Sequence, residues 1–218
     1  SEQKKPRVRD AEATRLRILD AAKKEFAENG LEGARVDAIA LQAQANKRMI
    51  YHYFESKENL FRIVLERAYL DIRTHEAELN LEKLGPVEAM IVLVRFTWRY
   101  YLENPEFITL VNSENLCQAR HIRTSSLLQE ISETFVSRIQ TILDQGAREG
   151  VFRPGLDAVQ VSITIASIGY YYLTNRYTGS VIFKRDLVAP KALEERLAFN
   201  TDTIMRLLCV SVQDLLIH

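Results

Sequence analysis

The chain has 218 residues, which corresponds to one large domain or to a small domain joined to a larger one. With 47% hydrophobic and 27% charged residues it can bury a substantial core, which excludes a protein that is mainly disordered. Lysine and arginine together number 29, as do aspartate and glutamate, so the formal net charge is zero and any surface for nucleic acid must come from a local excess of positive charge.

The pattern of apolar residues predicts an all-α fold of about nine helices. The 8 glycines and 5 prolines mostly stand where a helical pattern would stop. The first helix is predicted over residues 10–28, where Ile18, Ala22 and Phe26 fall on one face. The pair Asn29-Gly30 is expected to end it.

Later helices are predicted to begin at a proline in the first turn or at a side chain that can cap the helix. The predicted segments are residues 36–43 and 46–54, a longer helix opened by Ser56, and helices that begin near residues 85, 104, 124, 157 and 190. Residues 176–188 are predicted to form a long loop. The most strand-like pieces, residues 170–172 and 181–183, are too short to predict a sheet.

The segment after the first helix has the layout of a helix-turn-helix. A short helix is followed by a break near Gln44 and by a second short helix capped by Asn46. In this second helix Ile50, Tyr53 and Phe54 share one face, so we expect them to pack on the two preceding helices.

The opposite face of the second short helix is polar and is expected to point outward, with Lys47, Arg48, Tyr51 and His52. Two cations at a helix start oppose the helix dipole, and an anionic partner would explain them. Residues 1–17 hold six cationic and three acidic side chains. Such a basic arm could follow phosphates or enter a minor groove. The alternative is a charged face that is merely solvated.

A set of short motifs occurs in a fixed order between residues 14 and 60. They are Thr14-Arg15, Ile18-Leu19-Asp20-Ala21-Ala22, Phe26, Asn29-Gly30, Val36-Asp37-Ala38-Ile39-Ala40, Ala43 and Tyr51-His52-Tyr53-Phe54-Glu55-Ser56-Lys57-Glu58-Asn59-Leu60. In this order and spacing they resemble the DNA-binding domain of the tetracycline-repressor-type (TetR/AcrR) family of transcriptional regulators.

The resemblance implies that residues 46–54 hold the recognition helix, which enters the major groove of double-stranded DNA. The residues implied to contact DNA are Arg35, Val36, Asn46, Lys47, Arg48, Met49, Tyr51, His52 and Lys57. Those implied to lie nearest base edges are Lys47, Arg48 and Met49. Those implied to hold phosphates are Tyr51, His52, Lys57 and the residues around Arg35. Because arginine can bind guanine through two hydrogen bonds, Arg48 is the expected base reader.

Two positions depart from the family pattern. Where the family usually has glycine in the turn, this chain has Gln44, and a left-handed conformation costs a non-glycine residue about 1 kcal/mol, so the turn could have a different shape. Arg35 stands where a capping serine or threonine is common, so a cap worth about 1 kcal/mol is replaced by a phosphate contact. Neither change removes the recognition helix.

The expected domains are a basic arm at residues 1–9, the helix-turn-helix domain at 10–60 and a larger helical domain at 61–218. The resemblance implies that this larger part senses a small molecule and forms a homodimer through helices near residues 157–175 and 190–209. Small side chains recur along the first of these helices and permit close helix approach. The helix is apolar around much of its circumference, so burial inside the monomer is the alternative.

Aromatic residues gather near residues 98 and 171, and a mostly apolar pocket with a few polar groups is the usual form of a ligand site. The candidates for contacts with an effector are Trp98, Tyr101, Asn115, His121, Tyr171, Asn175 and Arg176. Core packing and structural hydrogen bonds are the alternatives. Arg176 could instead anchor the following loop through a carboxylate such as Asp186.

The sequence carries no catalytic or cofactor signature. It has no glycine-rich phosphate loop and no Gly-x-Ser-x-Gly elbow, and its four histidines show no metal-binding spacing. Cys117 and Cys209 are too far apart to indicate a zinc site. We therefore predict a protein that is not an enzyme and holds no metal or other cofactor.

The two cysteines are too few for a disulfide framework, which favours a reducing compartment. Residues 1–9 lack the apolar stretch of an export signal. The most apolar run, residues 161–173, is interrupted and is shorter than the ~20 residues that span a bilayer. We expect a soluble, cytoplasmic protein that has no membrane partner.

These observations predict a ligand-responsive, DNA-binding transcriptional regulator. Its expected form is a repressor that binds a palindromic operator as a homodimer and is released by a small-molecule effector. The alternative is a helical protein-interaction module that does not bind DNA. Neutralising Lys47 and Arg48 would separate the two, because only a regulator needs those charges for DNA affinity.

Overall fold

The computed structural model describes residues 5–210, with side chains from residue 10 onward. This part of the chain confirms the predicted all-α fold, since it forms ten α-helices, one short 3-10 helix at Leu81–Lys83 and no sheet. The helices are α1 (Lys5–Gly33), α2 (Val36–Gln42), α3 (Lys47–Phe54), α4 (Lys57–Ala77), α5 (Pro86–Glu103), α6 (Pro105–Leu116), α7 (Ser126–Arg148), α8 (Ala158–Thr174), α9 (Arg176–Ile182) and α10 (Pro190–Leu208).

Several helices begin where a local side chain bonds the free amide groups of the first turn, and others begin at a proline. Asn46 caps α3 by accepting a hydrogen bond from the amide of Met49 at 2.9 Å, and Asp157 caps α8 in a similar way. At the start of α4, Ser56 Oγ accepts from the amide of Asn59 at 3.0 Å. Helices α5, α6 and α10 begin at prolines. These starts lie where the sequence predicted them.

The loop predicted over residues 176–188 is wrong, because α9 occupies Arg176–Ile182. Gly179 lies inside this helix, and a Cβ added there would stand 2.8 Å from Leu187 Cδ1. The glycine therefore allows the chain that follows α9 to pack closely against it. Tyr172 also holds the segment that follows α9, since its hydroxyl donates a hydrogen bond to the carbonyl of Leu187 at 2.9 Å. These contacts are tertiary, so local sequence did not indicate the helix.

Helix α1 is longer than the predicted residues 10–28. It continues to Gly33 across a kink at Gly30, whose φ of 66° lies in the left-handed region. The pair Asn29-Gly30 therefore ends the first helical segment, as predicted, and a short second segment continues to Gly33. Residues 170–172, which are the most strand-like in the sequence, lie within α8.

The described residues form two compact units. The N-terminal unit comprises the residues up to Leu70 together with Pro105–Leu128, and the larger unit comprises Asp71–Asn104 with residues 129–210. Helix α4 contributes residues to both. The predicted division at residue 60 falls inside α4 and stays a prediction. The basic arm predicted at residues 1–9 lies outside the described side chains.

The core of the N-terminal unit lies where α1 packs against α2, α6 and the first part of α4. Phe26 on α1 and Phe61 on α4 are fully buried and meet edge to face, with their ring centroids 5.1 Å apart. Helix α6 is tied to α1 where Ser113 Oγ accepts a hydrogen bond from the amide of Leu31 at 3.3 Å. Burial of each large apolar side chain stabilises the fold by roughly 1.5–3 kcal/mol. This core supports the helix-turn-helix.

The core of the larger unit lies between α5, α7, α8 and α10. Phe152, just after α7, lies against Gly146, where an added Cβ would stand 2.1 Å from the phenylalanine ring. Phe152 also forms an isolated antiparallel bridge with Cys209, and the amide of Arg153 donates to the carbonyl of Leu208 at 2.8 Å. The segment that follows α7 therefore packs against the C-terminal end of α10.

Across the described residues, no helix combines the length and apolarity needed to cross a bilayer.

Candidate nucleic-acid interface and ligand sites

Helix α3 has one buried and one exposed face. Ile50 and Phe54 are 1% and 0% exposed and pack into the core of the N-terminal unit. Tyr53 is half-buried, and its ring contacts that of Phe54. The side chains on the opposite face are exposed, as predicted: Lys47, Arg48, Tyr51 and His52. The helix therefore presents cationic and hydrogen-bonding groups from a firmly held scaffold.

The two cations at the start of α3 have different surroundings. Lys47 Nζ lies 3.2 Å from a carboxylate oxygen of Asp37 on α2. Arg48 is exposed, and no hydrogen bond or ion pair joins its guanidinium to another described residue. An exposed ion pair contributes at most about 1 kcal/mol, so Lys47 can readily exchange Asp37 for an anionic ligand. Both cations are therefore available to an anionic partner. Lys47 would first have to leave Asp37, whereas Arg48 has no ion pair to break among the described residues.

A concave surface of about 440 Å³ lies beside α3. Its lining includes five predicted DNA contacts, Arg35, Val36, Lys47, Tyr51 and Lys57. The ammonium of Lys57 donates to the carbonyls of Ala34 at 3.3 Å and Glu32 at 3.5 Å, which holds it at the end of α1. Three carboxylates line the same surface, namely Asp37, Glu55 and Glu58. Lys47 and Lys57 are therefore kept in place by neighbouring acceptors.

The turn between α2 and α3 uses a left-handed residue even though the chain has no glycine there. Gln44 has φ 50°, and the amide of Ala45 donates to the carbonyl of Ala40 at 3.0 Å across the turn. At the start of α2, Arg35 makes no side-chain cap, and its amide donates to Glu25 Oε1 at 3.0 Å. The Arg35 side chain therefore stays exposed, and the turn keeps the backbone conformation that a glycine would adopt.

The residues predicted to bind an effector are divided between the two compact units. Asn115 and His121 lie in the N-terminal unit. The other five lie in the larger unit, and they are Trp98, Tyr101, Tyr171, Asn175 and Arg176. Trp98 and Tyr101 are 3% and 5% exposed, and their rings contact those of Tyr172 and Tyr170 on α8. Both therefore take part in packing α5 against α8.

A pocket of about 790 Å³ lies among α8, α9 and α10. Tyr171 and Asn175, two of the predicted residues, line it. Arg176 follows directly in the chain, and its guanidinium lies over the ring of Tyr177 at 4.9 Å from the ring centroid. Asp186, its suggested partner, accepts a hydrogen bond from the amide of Val188.

Arg196 supplies a cation to this pocket and was not singled out from the sequence. Its guanidinium lies over the rings of Tyr172 and Phe199, at 5.2 and 5.4 Å from the ring centroids. Burial lowers the pKa of Arg196, and the charge of Tyr172 acts in the opposite direction. The only sequence signal was the i, i+3 spacing of Arg196 and Phe199 on α10. The pocket thus combines aromatic surface with two guanidinium groups, of which that of Arg185 pairs with Glu195 in the same lining. Such a lining suits an apolar ligand that carries an acceptor group.

A small cavity inside the larger unit contains a buried carboxyl group, that of Glu76, which is 3% exposed. Burial raises the pKa of Glu76 to about 7, although the guanidinium groups of Arg73 and Arg138 act to lower it. Arg73 pairs with Glu76 and stacks over the ring of Phe135, 3.9 Å from its centroid. Tyr101 lines the same cavity. The carboxyl group of Glu76 therefore changes its protonation near neutral pH.

Two protein-family models match the chain. Residues 18–64 match the model for bacterial regulatory proteins of the tetR family. Residues 86–204 match the model for the tetracyclin repressor-like C-terminal domain. The first match includes the helix-turn-helix, and the second extends from α5 through most of α10.

Curated relatives and solved structures show similarity to the same kind of protein. The chain is 39% identical to the HTH-type transcriptional repressor NicS of Pseudomonas putida over 200 residues, which are 92% of this chain and 94% of the relative. It is 53% identical to the HTH-type transcriptional repressor SCO4008 of Streptomyces coelicolor over 65 residues, which are 30% of this chain and 34% of that relative. The crystal structure of SCO4942 from Streptomyces coelicolor has a TM-score of 0.68 and 25% identity, and the alignment covers 89% of this chain and 98% of the other.

Proposed function

The chain belongs to the TetR family of bacterial transcriptional regulators, and we propose that it is a ligand-responsive repressor that binds a palindromic operator as a homodimer. Membership identifies a DNA-binding regulator of transcription and not an enzyme. Repression is supported by the similarity to two repressors, NicS and SCO4008. We further propose that the operator is palindromic, that the protein binds it as a homodimer, and that a small-molecule effector controls this binding.

One observation carries the proposed mode of DNA binding, which is the division of α3 into two faces. Ile50 and Phe54 fix one face in the core, and the other exposes cations and hydrogen-bonding groups. The major groove of DNA admits an α-helix, and an arginine there can bind guanine through two hydrogen bonds. We assign base reading to Arg48 because its guanidinium is uncommitted, with Lys47 and Met49 beside it.

The phosphate contacts are assigned to side chains around the concave surface beside α3. Lys57 uses two carbonyl acceptors at the end of α1, and an ammonium group has three N–H donors, so one remains for a phosphate. Arg35 and Tyr51 line the same surface as Lys57, and His52 is exposed next to Tyr51 on α3. Contacts of this kind set the position and orientation of a protein on DNA but do not read its sequence.

The homodimer is proposed from apolar side chains on α8 and α10 that the single chain leaves exposed. They are Val159 at 45%, Ile163 at 55%, Phe199 at 62% and Leu207 at 39% exposure. Single exposed apolar residues are ordinary, whereas a group of them on neighbouring helices marks an interaction surface. A second copy related by a two-fold axis would cover this group. Two symmetric subunits then require an approximately palindromic operator.

Effector binding is assigned to the pocket that Tyr171, Asn175 and Arg196 line. An effector can shift the protein between two states only through a difference in its affinity for them. We propose that the effector favours a state in which the two α3 helices are spaced wrongly for successive major grooves. Helix α4 has residues in both compact units, and we assign the transmission of this change to it.

The test is selection of bound sequences from a random duplex library. Three proteins are compared: the natural chain, the variant Lys47→Ala/Arg48→Ala, and the charge-matched control Lys83→Ala/Arg148→Ala, whose side chains are exposed elsewhere. We expect the natural chain and the control to recover one two-fold symmetric motif and the Lys47/Arg48 variant to recover none. The operator then allows small molecules to be screened for release of DNA.

Each part of the proposal fails separately in this test. A motif without two-fold symmetry contradicts the homodimer on a palindrome. A motif that the Lys47/Arg48 variant also recovers contradicts the assignment of α3. If Asn175→Ala/Arg196→Ala binds the operator and still responds to every active effector with unchanged affinity, the pocket assignment is wrong.

A further inference from the structure

The end of α6 and the turn after it bring a carboxylate, a thiol and an imidazole together. A carboxylate oxygen of Glu114, the sulfur of Cys117 and a ring nitrogen of His121 all lie within 4.8 Å of one another. Glu114 is buried, and the other two side chains are half-buried. None of the three belongs to the proposed DNA surface or to the pocket near Tyr171.

The carboxylate of Glu114 is fixed in orientation by the turn that follows it. Its Oε1 accepts hydrogen bonds from the amides of His121 at 2.8 Å and Ile122 at 3.1 Å. Its Oε2 lies 2.7 Å from His121 Nδ1. One oxygen therefore belongs to the backbone network, while the other is directed at the imidazole. Supporting hydrogen bonds of this kind are what orient the ligands of a metal site.

The backbone of this turn is strained. Gln118 and Ala119 have φ of 56° and 58°, two consecutive left-handed residues that are not glycine, each at a cost of roughly 1–2 kcal/mol. This reversal returns His121 toward Cys117 and Glu114. The ring of Phe61 meets the imidazole edge to face, with centroids 5.5 Å apart, and limits its rotation. Strain that the surroundings hold in place is concentrated at functional sites.

We propose that Glu114, Cys117 and His121 form a binding site for Zn²⁺ or a similar thiophilic divalent cation. Sulfur, nitrogen and one carboxylate oxygen are the donors that zinc takes in proteins, and three such ligands leave its fourth position open. Zinc bonds of about 2.0–2.3 Å place neighbouring ligand atoms roughly 3–4 Å apart, so small side-chain rotations suffice. Calcium and magnesium are disfavoured because they require oxygen ligands. The thiol releases its proton to solvent on binding, and the imidazole binds in its neutral form.

The site lies in the same compact unit as the helix-turn-helix. It follows α6, which is bonded to α1 between Ser113 and Leu31. A cation that joins α6 to the turn after it would stabilise this unit, because a ligand that binds only the folded state raises the stability of that state. The expected consequence of binding is a higher melting temperature of the full chain, in the absence of DNA and effector.

The experiment is a titration of the metal-free, reduced full chain with Co²⁺, which substitutes for zinc and reports thiolate ligation by a sulfur-to-cobalt charge-transfer band. The test variants are Cys117→Ser and His121→Gln. The matched controls are Cys209→Ala and His75→Gln, which alter the other described cysteine and an exposed histidine. Circular dichroism establishes that each variant is folded, and competition with Zn²⁺ gives its affinity.

We expect one cobalt ion per chain, a charge-transfer band that Zn²⁺ removes, and a rise in melting temperature with Zn²⁺. Cys117→Ser should lose the band, and His121→Gln should bind at least about tenfold more weakly, while both controls behave as the natural chain does. The site does not exist if the natural chain shows no band, or if the band survives Cys117→Ser or is lost in Cys209→Ala. Because DNA is not used, this result is independent of the proposed repressor activity.

Discussion

The carboxylate of Glu25 on α1 accepts a hydrogen bond from the backbone amide of Arg35, with 3.0 Å between Oε1 and N. Arg35 is the N-cap residue of α2 and makes no capping bond with its own side chain. In a capping box, a glutamate of the same helix bonds the amide of the N-cap residue. Here a buried glutamate of the preceding helix does so. The Arg35 side chain is thereby left for the phosphate contact proposed above.

Replacement of Glu25 by alanine is expected to destabilise the N-terminal unit. Glu25→Ala leaves the Arg35 amide without its partner, which costs about 1–3 kcal/mol of unfolding free energy. Urea denaturation measures the loss, and Glu28→Ala, an exposed position on the same helix, is the control. Equal stability of the two variants would mean that the hydrogen bond contributes nothing.

Arg48 and Lys57 are expected to differ in how they affect DNA binding. Arg48→Ala should weaken binding at its cognate base pair by about 1–3 kcal/mol and relax the preference for that base, because it removes a base contact. Lys57→Ala should weaken binding to all sequences alike and reduce the salt dependence of affinity, because it removes a phosphate contact. Binding to operators with each base at each position, at several salt concentrations, measures both. Losses that are equal and independent of sequence would show that Arg48 is not the base reader.

Glu76 is expected to make the stability of the larger unit depend on pH. Its pKa rises from 4.5 to about 7 on folding because the group is buried, so between these values the folded chain binds more protons than the unfolded chain. The free energy of unfolding should therefore fall as pH rises through this range, and the penalty is complete above pH about 7. Glu76→Gln does not titrate. Its unfolding free energy relative to the natural chain should increase by roughly 2–3 kcal/mol from pH 5 to pH 8.

Urea denaturation at four pH values measures this difference, with the exposed Glu82→Gln as control. The slope with pH is the prediction, since any effect of Glu76→Gln that does not depend on protonation, such as an altered hydrogen bond with Arg73, shifts stability equally at every pH. A difference that does not change with pH would show that Glu76 has an ordinary pKa in the folded chain.

Replacement of Gly146 by alanine is expected to destabilise the larger unit, even though this glycine lies in a helix. Alanine usually stabilises a helix relative to glycine by about 1 kcal/mol. At this position the new Cβ would stand 2.1 Å from the ring of Phe152, so Gly146→Ala should cost on the order of 1–3 kcal/mol. Thermal unfolding measures it against Gly33→Ala, whose Cβ would meet only an ordinary contact at 3.5 Å. A second change, Phe152→Leu, should recover part of the loss if the clash is its cause.

The proposed homodimer predicts that a charge on α8 separates the subunits. Ile163 is 55% exposed, and Ile163→Glu would place a carboxylate in the interface without disturbing the core of the monomer. Sedimentation equilibrium should show a monomer for this variant and a dimer for the natural chain. Leu116→Glu, at an 87% exposed position of the N-terminal unit, should remain dimeric. An undiminished dimer of Ile163→Glu would exclude this surface as the interface.

Local chemistry explains which helix boundaries could be predicted. Asn46, Ser56 and Asp157 cap helices through bonds that span only two or three residues, so their effect is visible in sequence. Helix α9 was missed because it depends on the approach of Leu187 to Gly179, which no local pattern encodes. The faces of α3 could be predicted since a period of 3.6 residues alone separates Ile50 and Phe54 from Arg48 and His52.

The candidate ligand sites could not be predicted in full because their lining depends on tertiary structure. The contact of His121 with Glu114 depends on the reversal at Gln118 and Ala119, which no local pattern indicated, and its role toward an effector stays a prediction. Glu76 has no distinguishing sequence context, and its raised pKa comes from burial that only the packed helices create. Arg196 enters a pocket that exists only when α8, α9 and α10 meet.

The segment that follows α7 packs against the end of α10, and this packing affects how two copies of the chain could form the proposed homodimer. The amide of Arg153 is already bonded to the carbonyl of Leu208 within one chain, and Phe152 is buried there. An exchange of α10 between two copies would require these bonds to open before they could form again between chains. In the proposed homodimer, copies that come apart could therefore pair again with any other copy without unfolding, because the bonds between the segment after α7 and the end of α10 are made within one chain.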